Sequence, residues 1–321
     1  MSDSWRILIG SKSFGKAFPE HLELLRHAGC EVVRNGVGRA YRAAELTDAL
    51  KGIDAIVTGT DELTSAVIQG ADRLKTIAKH GVGLDNIDLK AARARHIVVS
   101  AAFGAVHDSV ADLTMALLLA AARGIVPAHI GTKAGLWKGF MGMELRNKTL
   151  GLVGLGRIGK EVSLRAQGFG MKVIAHDPYA KPEVFKAAGV ESVDFDTLLA
   201  TSDYVSVHAP LTPATRGMMN AQAFGKMKKG AYIVNTARGP LIDEAALTAA
   251  LDSGQIGGAG LDVVAVEPLA KESPLLGRDN VIVSPHTAFY SIEALEELQS
   301  KCASDVARVL SGGKAVYPIS A

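Results

Sequence analysis

Apolar and polar positions alternate along the chain in two rhythms. Short runs of Val, Ile, Leu and Ala read as strands buried on both faces, and stretches with an apolar residue every third or fourth position read as helices. In the first third, strands are expected at 6–10, 31–34, 55–58, 74–78 and 97–99. Helices are expected between them at 18–28, 43–50, 65–69 and 89–95. Strand-helix alternation of this kind predicts a parallel sheet with helices on both faces.

A long helix follows at 108–123, and then an irregular excursion over 124–146 that carries Trp137, Phe140, Met141 and Met143. An irregular segment of that length inside one compact domain is uncommon, so it either covers its own core or clasps a second subunit. The alternation then resumes, with strands near 149–153, 171–175, 204–207, 232–235, 259–263 and 281–283 and a last amphipathic helix at 292–310. Two α/β units are therefore expected on either side of a linker near residues 100–105.

Composition narrows the picture without redirecting it. A chain of 321 residues with 48% hydrophobic content can bury two ordinary cores. The net charge of +2 gives no long-range field to attract nucleic acid or a membrane surface. The two cysteines, Cys30 and Cys302, lie far apart and lack metal-ligand spacing, which fits a reducing, cytoplasmic setting with no metal centre.

The most informative stretch is Gly154-Leu155-Gly156-Arg157-Ile158-Gly159, placed where a strand gives way to a helix. In a dinucleotide site Gly154 makes the tight turn, Gly156 lets backbone approach a pyrophosphate, and Gly159 lets helix and strand pack closely. The helix N-terminus that follows presents free N–H groups to the phosphates. Among 34 glycines such a motif arises by accident, but a second strand here ends at Asp177. That lies about 20 residues on, where a carboxylate meets the ribose hydroxyls of NAD and repels the extra phosphate of NADP. Lys181 nearby softens that preference.

Three further strand ends carry ionisable residues beside Gly or Pro: Arg238 after 232–235, Asp262 and Glu267 after 259–263, and His286 after 281–283. In an open α/β sheet the ligand crevice lies outside the carboxyl ends of the strands. Reducing a 2-oxo acid needs a cation for its carboxylate and carbonyl, a proton donor, and a carboxylate to orient that donor. Arg238, His286 and Glu267 can fill those roles.

These motifs together, with Asn235-Thr236-Ala237-Arg238-Gly239, Ser284-Pro285-His286 and the run from His80 to Asp88, resemble the D-isomer-specific 2-hydroxyacid dehydrogenases, the group that includes D-3-phosphoglycerate dehydrogenase. The resemblance implies two doubly wound parallel-sheet domains, with a Rossmann NAD domain (103–289) inserted in a flavodoxin-like substrate domain (1–102 and 290–321). It implies a homodimer with an arm near 106–146. NAD contacts are expected from Gly154, Gly156, Arg157, Ile158, Gly159, Asp177, His208, Ala209, Pro210, Thr215, Thr236, Ala237, Asp262 and His286. Asp262 would meet the nicotinamide carboxamide, and 208–211 would run beside the nicotinamide ribose. Lys79, His80, Gly81, Val82 and Gly83 would join Arg238 in holding a small 2-oxo or 2-hydroxy acid, with the N–H groups of 81–83 on its carboxylate.

Departures from the family pattern bear on substrate. Val106 stands where the family often has Asn, and 58–62 carries Asp61 and Glu62 where phosphoglycerate enzymes carry a basic residue. Two carboxylates there would repel a phosphate. His80 and His107 offer hydrogen bonds to a different substituent. The competing expectations are a glyoxylate or hydroxypyruvate reductase, a phosphoglycerate dehydrogenase, and an NAD-sensing scaffold without turnover.

Overall fold

A computed structural model of the chain describes residues 4–319. The outermost ends of the expected substrate domain, 1–3 and 320–321, lie outside the described residues. The chain forms two units, one from residues up to 106 together with those from 291, the other from His107 to Tyr290.

The first unit is built from β1 (Trp5–Ile9), α1 (Glu20–His27), β2 (Cys30–Arg34), α2 (Ala43–Ala49) and β3 (Ala55–Thr58). It continues through α3 (Ser65–Gly70), β4 (Thr76–Lys79), α4 (Leu89–Ala94) and β5 (Val98–Ala101). Its five strands are parallel in the order β2-β1-β3-β4-β5. β3 and β4 are buried along their whole length, which is why they read as unbroken apolar runs. Helix starts follow the side chains that can satisfy free N–H groups: Thr64 accepts from Val67 N at α3, and Asp88 accepts from Ala91 N at α4.

The second unit opens with α5 (His107–Arg123), α6 (Ile125–Lys133), β6 (Thr149–Val153), α7 (Arg157–Gly168), β7 (Lys172–His176) and α8 (Pro182–Ala188). Then come β8 (Glu191–Ser192), α9 (Phe195–Thr201), β9 (Tyr204–Val207), α10 (Ala221–Lys226) and β10 (Ala231–Asn235). It ends with α11 (Glu244–Asp252), β11 (Ile256–Leu261) and β12 (Val281–Val283). The seven strands run in the order β12-β11-β10-β9-β6-β7-β8. α5 buries a stripe from Val110 to Ala122, and a Cβ at Gly260 would sit 2.9 Å from that of Leu117, so helix and sheet touch there. The last helix, α12 (Ile292–Leu310), starts on a Ser291 cap and belongs to the first unit.

Two elements depart from the sequence reading. The stretch 124–146 is not irregular throughout, because α6 occupies its first part. None of the α6 side chains is buried, so no apolar stripe existed to be read. β8 is two residues long and exposed, too short to carry a period. Among the described residues no single helix is long and apolar enough to cross a membrane; the bent pair α5 and α6 passes on length and composition only together.

Candidate active site

The glycine loop leaves β6 at the point where the strand order reverses, between β6 and β9, which is where an open α/β sheet has its ligand crevice. Gly154 has φ +100°, and a Cβ there would lie 3.0 Å from the carbonyl of His208, the first residue after β9. A Cβ on Gly159 would collide with the Gly154 carbonyl, so the turn of α7 rests directly on the loop. Gly156 is the N-cap of α7, and a Cβ there would meet nothing within 4 Å, leaving its backbone open to a ligand. Arg157 is exposed and Ile158 half-buried.

His208 binds Ser206 Oγ through Nε2 at 2.9 Å, while its Nδ1 is buried with no hydrogen-bond partner among the described residues. Burial pulls its pKa down to about 4, so the ring is neutral at pH 7. An open loop, a helix N-terminus and a spare imidazole nitrogen together fit a dinucleotide.

Asp177, expected on a ribose, has a structural task too. Its Oδ2 accepts from Leu155 N at 2.9 Å, and its Oδ1 accepts from Tyr179 N and Ala180 N at 3.0 and 3.1 Å. The carboxylate thus ties the glycine loop to the turn after β7, and a ribose would compete for what acceptor capacity remains. Thr215 Oγ1 closes its own turn by donating to Pro210 O (2.6 Å) and accepting from Thr212 N (2.8 Å), which shapes the segment holding Ala209 and Pro210. Thr236 Oγ1 pairs with Thr114 Oγ1 at 2.8 Å, and Ala237 N donates to Asn235 Oδ1 at 3.0 Å.

His286 and Glu267 meet: imidazole Nδ1 lies 2.8 Å from Glu267 Oε2, with both side chains partly open to solvent. Glu267 Oε1 accepts from Val264 N at 3.4 Å. His286 has φ 55°, a left-handed conformation that costs a non-glycine residue about 1–3 kcal/mol and needs fixing by its surroundings. Buried Asp262 does the fixing. Its Oδ1 accepts from Ser284 Oγ (2.6 Å) and Thr287 N (2.9 Å), its Oδ2 from Ala288 N (2.8 Å), and its own carbonyl from His286 N (2.8 Å). Expected on the nicotinamide carboxamide, Asp262 is largely spent on the turn that carries His286. No sequence signal distinguished those two roles.

Arg238 is half-buried in the turn after β10, with Nη1 donating to Ala237 O at 2.7 Å. Asn235 Nδ2 donates to the Arg238 carbonyl at 2.9 Å and fixes that turn. A Cβ on Gly239 would collide with the Val264 carbonyl, so the Arg238 turn abuts the segment leading to Glu267.

In the first unit the expected substrate residues divide. Lys79 is buried, its ammonium donating to Gly59 O and to Asn86 Oδ1 (2.8 Å). His80 is buried with Nδ1 on Ser11 Oγ at 3.1 Å, and burial, then the Lys79 charge, lowers its pKa to about 3. Gly81 N already donates to Lys79 O at 2.9 Å, which removes it from the set expected on a carboxylate. Val82 and Gly83 are half-buried.

Asp61 and Glu62, expected to repel a phosphate, turn out to serve the fold. Asp61 is buried and accepts from Tyr41 N (2.9 Å), Thr58 Oγ1 (2.8 Å) and Gly59 N (3.2 Å), and Glu62 accepts from Ala43 N (2.9 Å) at the start of α2. Both are structural acceptors. His107, Asp108 and Glu161 approach closely enough to suggest a cation site, but the Arg165 guanidinium already bridges Asp108 (3.0 Å) and Glu161 (2.8 Å).

Comparison with known proteins agrees with this geometry. Residues 115–288 match the sequence family described as D-isomer specific 2-hydroxyacid dehydrogenase, NAD binding domain. D-3-phosphoglycerate dehydrogenase of Archaeoglobus fulgidus is 43% identical over 91% of this chain and 56% of its own length. Hydroxypyruvate reductase of Thermotoga maritima is 47% identical over 78% of this chain and 82% of its own. The crystal structure of the TT0316 protein from Thermus thermophilus superposes with TM-score 0.89 at 36% identity, covering 98% of this chain and all of that one. The chain spans about half the length of the phosphoglycerate dehydrogenases it matches. With more than half of its residues in the family's NAD-binding domain, and a reductase matched over most of its length, the chain belongs to the D-isomer specific 2-hydroxyacid dehydrogenase family.

Proposed function

We propose that the protein interconverts a D-2-hydroxy acid and its 2-oxo acid with NAD as the redox partner. The observation that carries this reading is the 2.8 Å contact between His286 Nδ1 and Glu267 Oε2, within the residues that match the family's NAD-binding domain. Gly154, Gly156, Gly159, Asp177 and His208 would hold the cofactor, which when bound supplies or accepts the hydride. His286 would deliver the proton to the developing alkoxide through Nε2, with Glu267 orienting the ring through Nδ1. Arg238 would clamp the substrate carboxylate and polarise its carbonyl through a planar fork of donors. In the first unit, the backbone of Val82 and Gly83 would offer N–H groups to a substrate carboxylate.

The substrate domain would comprise 1–102 and 290–321, and the NAD domain 103–289. The surface around α6 supports a homodimer: Ile125, Ile130, Leu136, Trp137 (94% exposed) and Met141 face outward between residues 125 and 141. An exposed apolar group of this size marks an interaction surface. A monomeric mass at micromolar concentration would reject the dimer. A net charge of +2 and two unpaired buried cysteines support a cytoplasmic enzyme without nucleic-acid or membrane partners.

The direct test is NADH oxidation with a panel of 2-oxo acids. Turnover of at least one is the expected result, and the A. fulgidus and T. maritima relatives make phosphohydroxypyruvate and hydroxypyruvate the first to try. Tight NADH binding without turnover of any would replace the enzyme by an NAD-sensing scaffold.

A further inference from the structure

We propose that the Ser11 hydroxyl, held by His80, reads the substituent on carbon 3 of the substrate and selects a neutral hydroxyl there. The inference rests on the reading of 82–83 as the place of the substrate carboxylate, and it adds the chemical class of the group beside it.

The first unit has its own reversal of strand order, between β1 and β3. The loops after those strands meet there: Gly10 N and Ser11 N both donate to Val57 O, at 2.9 and 3.2 Å. A Cβ on Gly59 would lie 3.8 Å from the Cα and Cβ of Ser11. A ligand crevice belongs at such a point. Ser11 Oγ lies 3.1 Å from His80 Nδ1 and 3.4 Å from Ser13 Oγ, and His80 immediately precedes the glycine segment 81–83. Carbon 3 lies two carbons beyond a carboxylate held at 82–83, and the His80 bond ties Ser11 to the start of that segment, on the side where its substituent would project.

The cluster is built rigidly. Phe14 is fully buried and meets the His80 ring edge-on at 5.8 Å. Gly15 N donates to Gln299 Oε1 of α12 at 2.7 Å, which pins the loop from the other side. A hydroxyl offers one donor and two acceptor positions, and Ser11 uses two of the three on His80 and Ser13. One position remains for a ligand, whichever tautomer His80 adopts.

The remaining chemistry favours a neutral group. The His80 ring is uncharged at pH 7 because burial pulls its pKa down to about 3. Asp61 is turned into the fold. The Lys79 ammonium is engaged by Gly59 O and Asn86 Oδ1, and Lys12 is exposed to solvent. A phosphate on carbon 3 would have to recruit one of those lysines, whereas a hydroxyl needs only Ser11.

The experiment measures kcat/KM for hydroxypyruvate, its 3-phosphorylated analogue and pyruvate, with NADH, in the unaltered protein and in Ser11→Ala and Ser11→Thr. The expected results are a preference for hydroxypyruvate over both others, and a hydroxypyruvate-to-pyruvate ratio that falls about tenfold in Ser11→Ala and is kept in Ser11→Thr. If Ser11→Ala does not fold, Ser13→Ala at its half-exposed position should lower the same ratio by about threefold. An equal fall for hydroxypyruvate and pyruvate would assign Ser11 a structural role and overturn the proposal while leaving the dehydrogenase reading in place. A preference for the phosphorylated analogue would overturn it as well. Absence of turnover with every 2-oxo acid in the unaltered protein would remove the dehydrogenase reading and this inference with it.

Discussion

The carboxyl ends of the two sheets share a loop geometry and differ in the side chains they carry. In each, the loop after the first strand of the unit meets the loop after a strand across the reversal point, Gly10–Ser11 with Gly59 in one and Gly154 with His208 in the other. Each also buries one neutral imidazole on a serine hydroxyl, His80 on Ser11 and His208 on Ser206. The second unit adds a hydrogen bond between His286 Nδ1 and Glu267 Oε2, partly open to solvent, on a strained turn. The difference teaches that the shared architecture repeats one loop contact, whereas the proton transfer we propose rests on one edge, after β11 and β12, where Asp262 supplies a supporting carboxylate.

The largest expected effect therefore falls on that edge. His286→Ala should lower kcat by about 10³ while leaving NADH affinity within a few-fold, because a general acid contributes in the transition state and not to cofactor binding. Stopped-flow turnover alongside NADH fluorescence titration checks it, and equal loss in both would mean the imidazole serves the cofactor. Next comes the contrast between the two reversal points. Gly154→Ala should cost about 3 kcal/mol in stability and weaken NADH binding, since the residue has φ +100° and its new methyl would press on the His208 backbone. Gly59→Ala, with only ordinary contacts at 3.8 Å, should change stability by less than about 0.5 kcal/mol. Chemical denaturation of both variants would show whether only the cofactor-side loop is packed to its limit.

Much of this fold is legible in the sequence. Strands with both faces buried appear as apolar runs, so β3 and β9 fall at their expected residues, β12 does so as a short half-buried apolar run, and the 19-residue α12 is bounded correctly by its apolar period. The glycines up to Asp177 read as a dinucleotide loop because Gly154 and Gly159 answer steric demands while Gly156 leaves its backbone open to a ligand. What stayed hidden is direction. Asp61, Asp177 and Asp262 read as charges available to ligands, yet each turns oxygens onto backbone N–H groups from residues distant in the chain. Periodicity reports which face a residue is on, not which of several partners its oxygens find. α6 escaped for the converse reason: its apolar residues face outward, so the pattern that marks a helix by its core side was absent.

The two buried histidines give the finest test of the likeness between the units. Burial lowers both pKa values, to about 3 for His80 and about 4 for His208, while an unfolded chain binds those protons near pH 6.5. Between these limits the unfolded state holds more protons than the folded one, so stability must fall as pH falls. From pH 7.5 to pH 5 each ring should remove about 2 kcal/mol, and nothing should be lost above pH 7 where both states are neutral. His80→Gln and His208→Gln should each flatten the pH dependence by that amount, the first through the five-stranded sheet and the second through the seven-stranded one. Saturating NADH separates them further. Because His208 Nδ1 is the nitrogen left without a partner among the described residues, a cofactor that bonds it should change the acid sensitivity carried by His208 and leave that of His80 alone. Denaturant midpoints at pH 7.5 and 5, with and without NADH, would read this out, and an equal cofactor effect on both histidines would end the distinction between a cofactor-side ring and a substrate-side one.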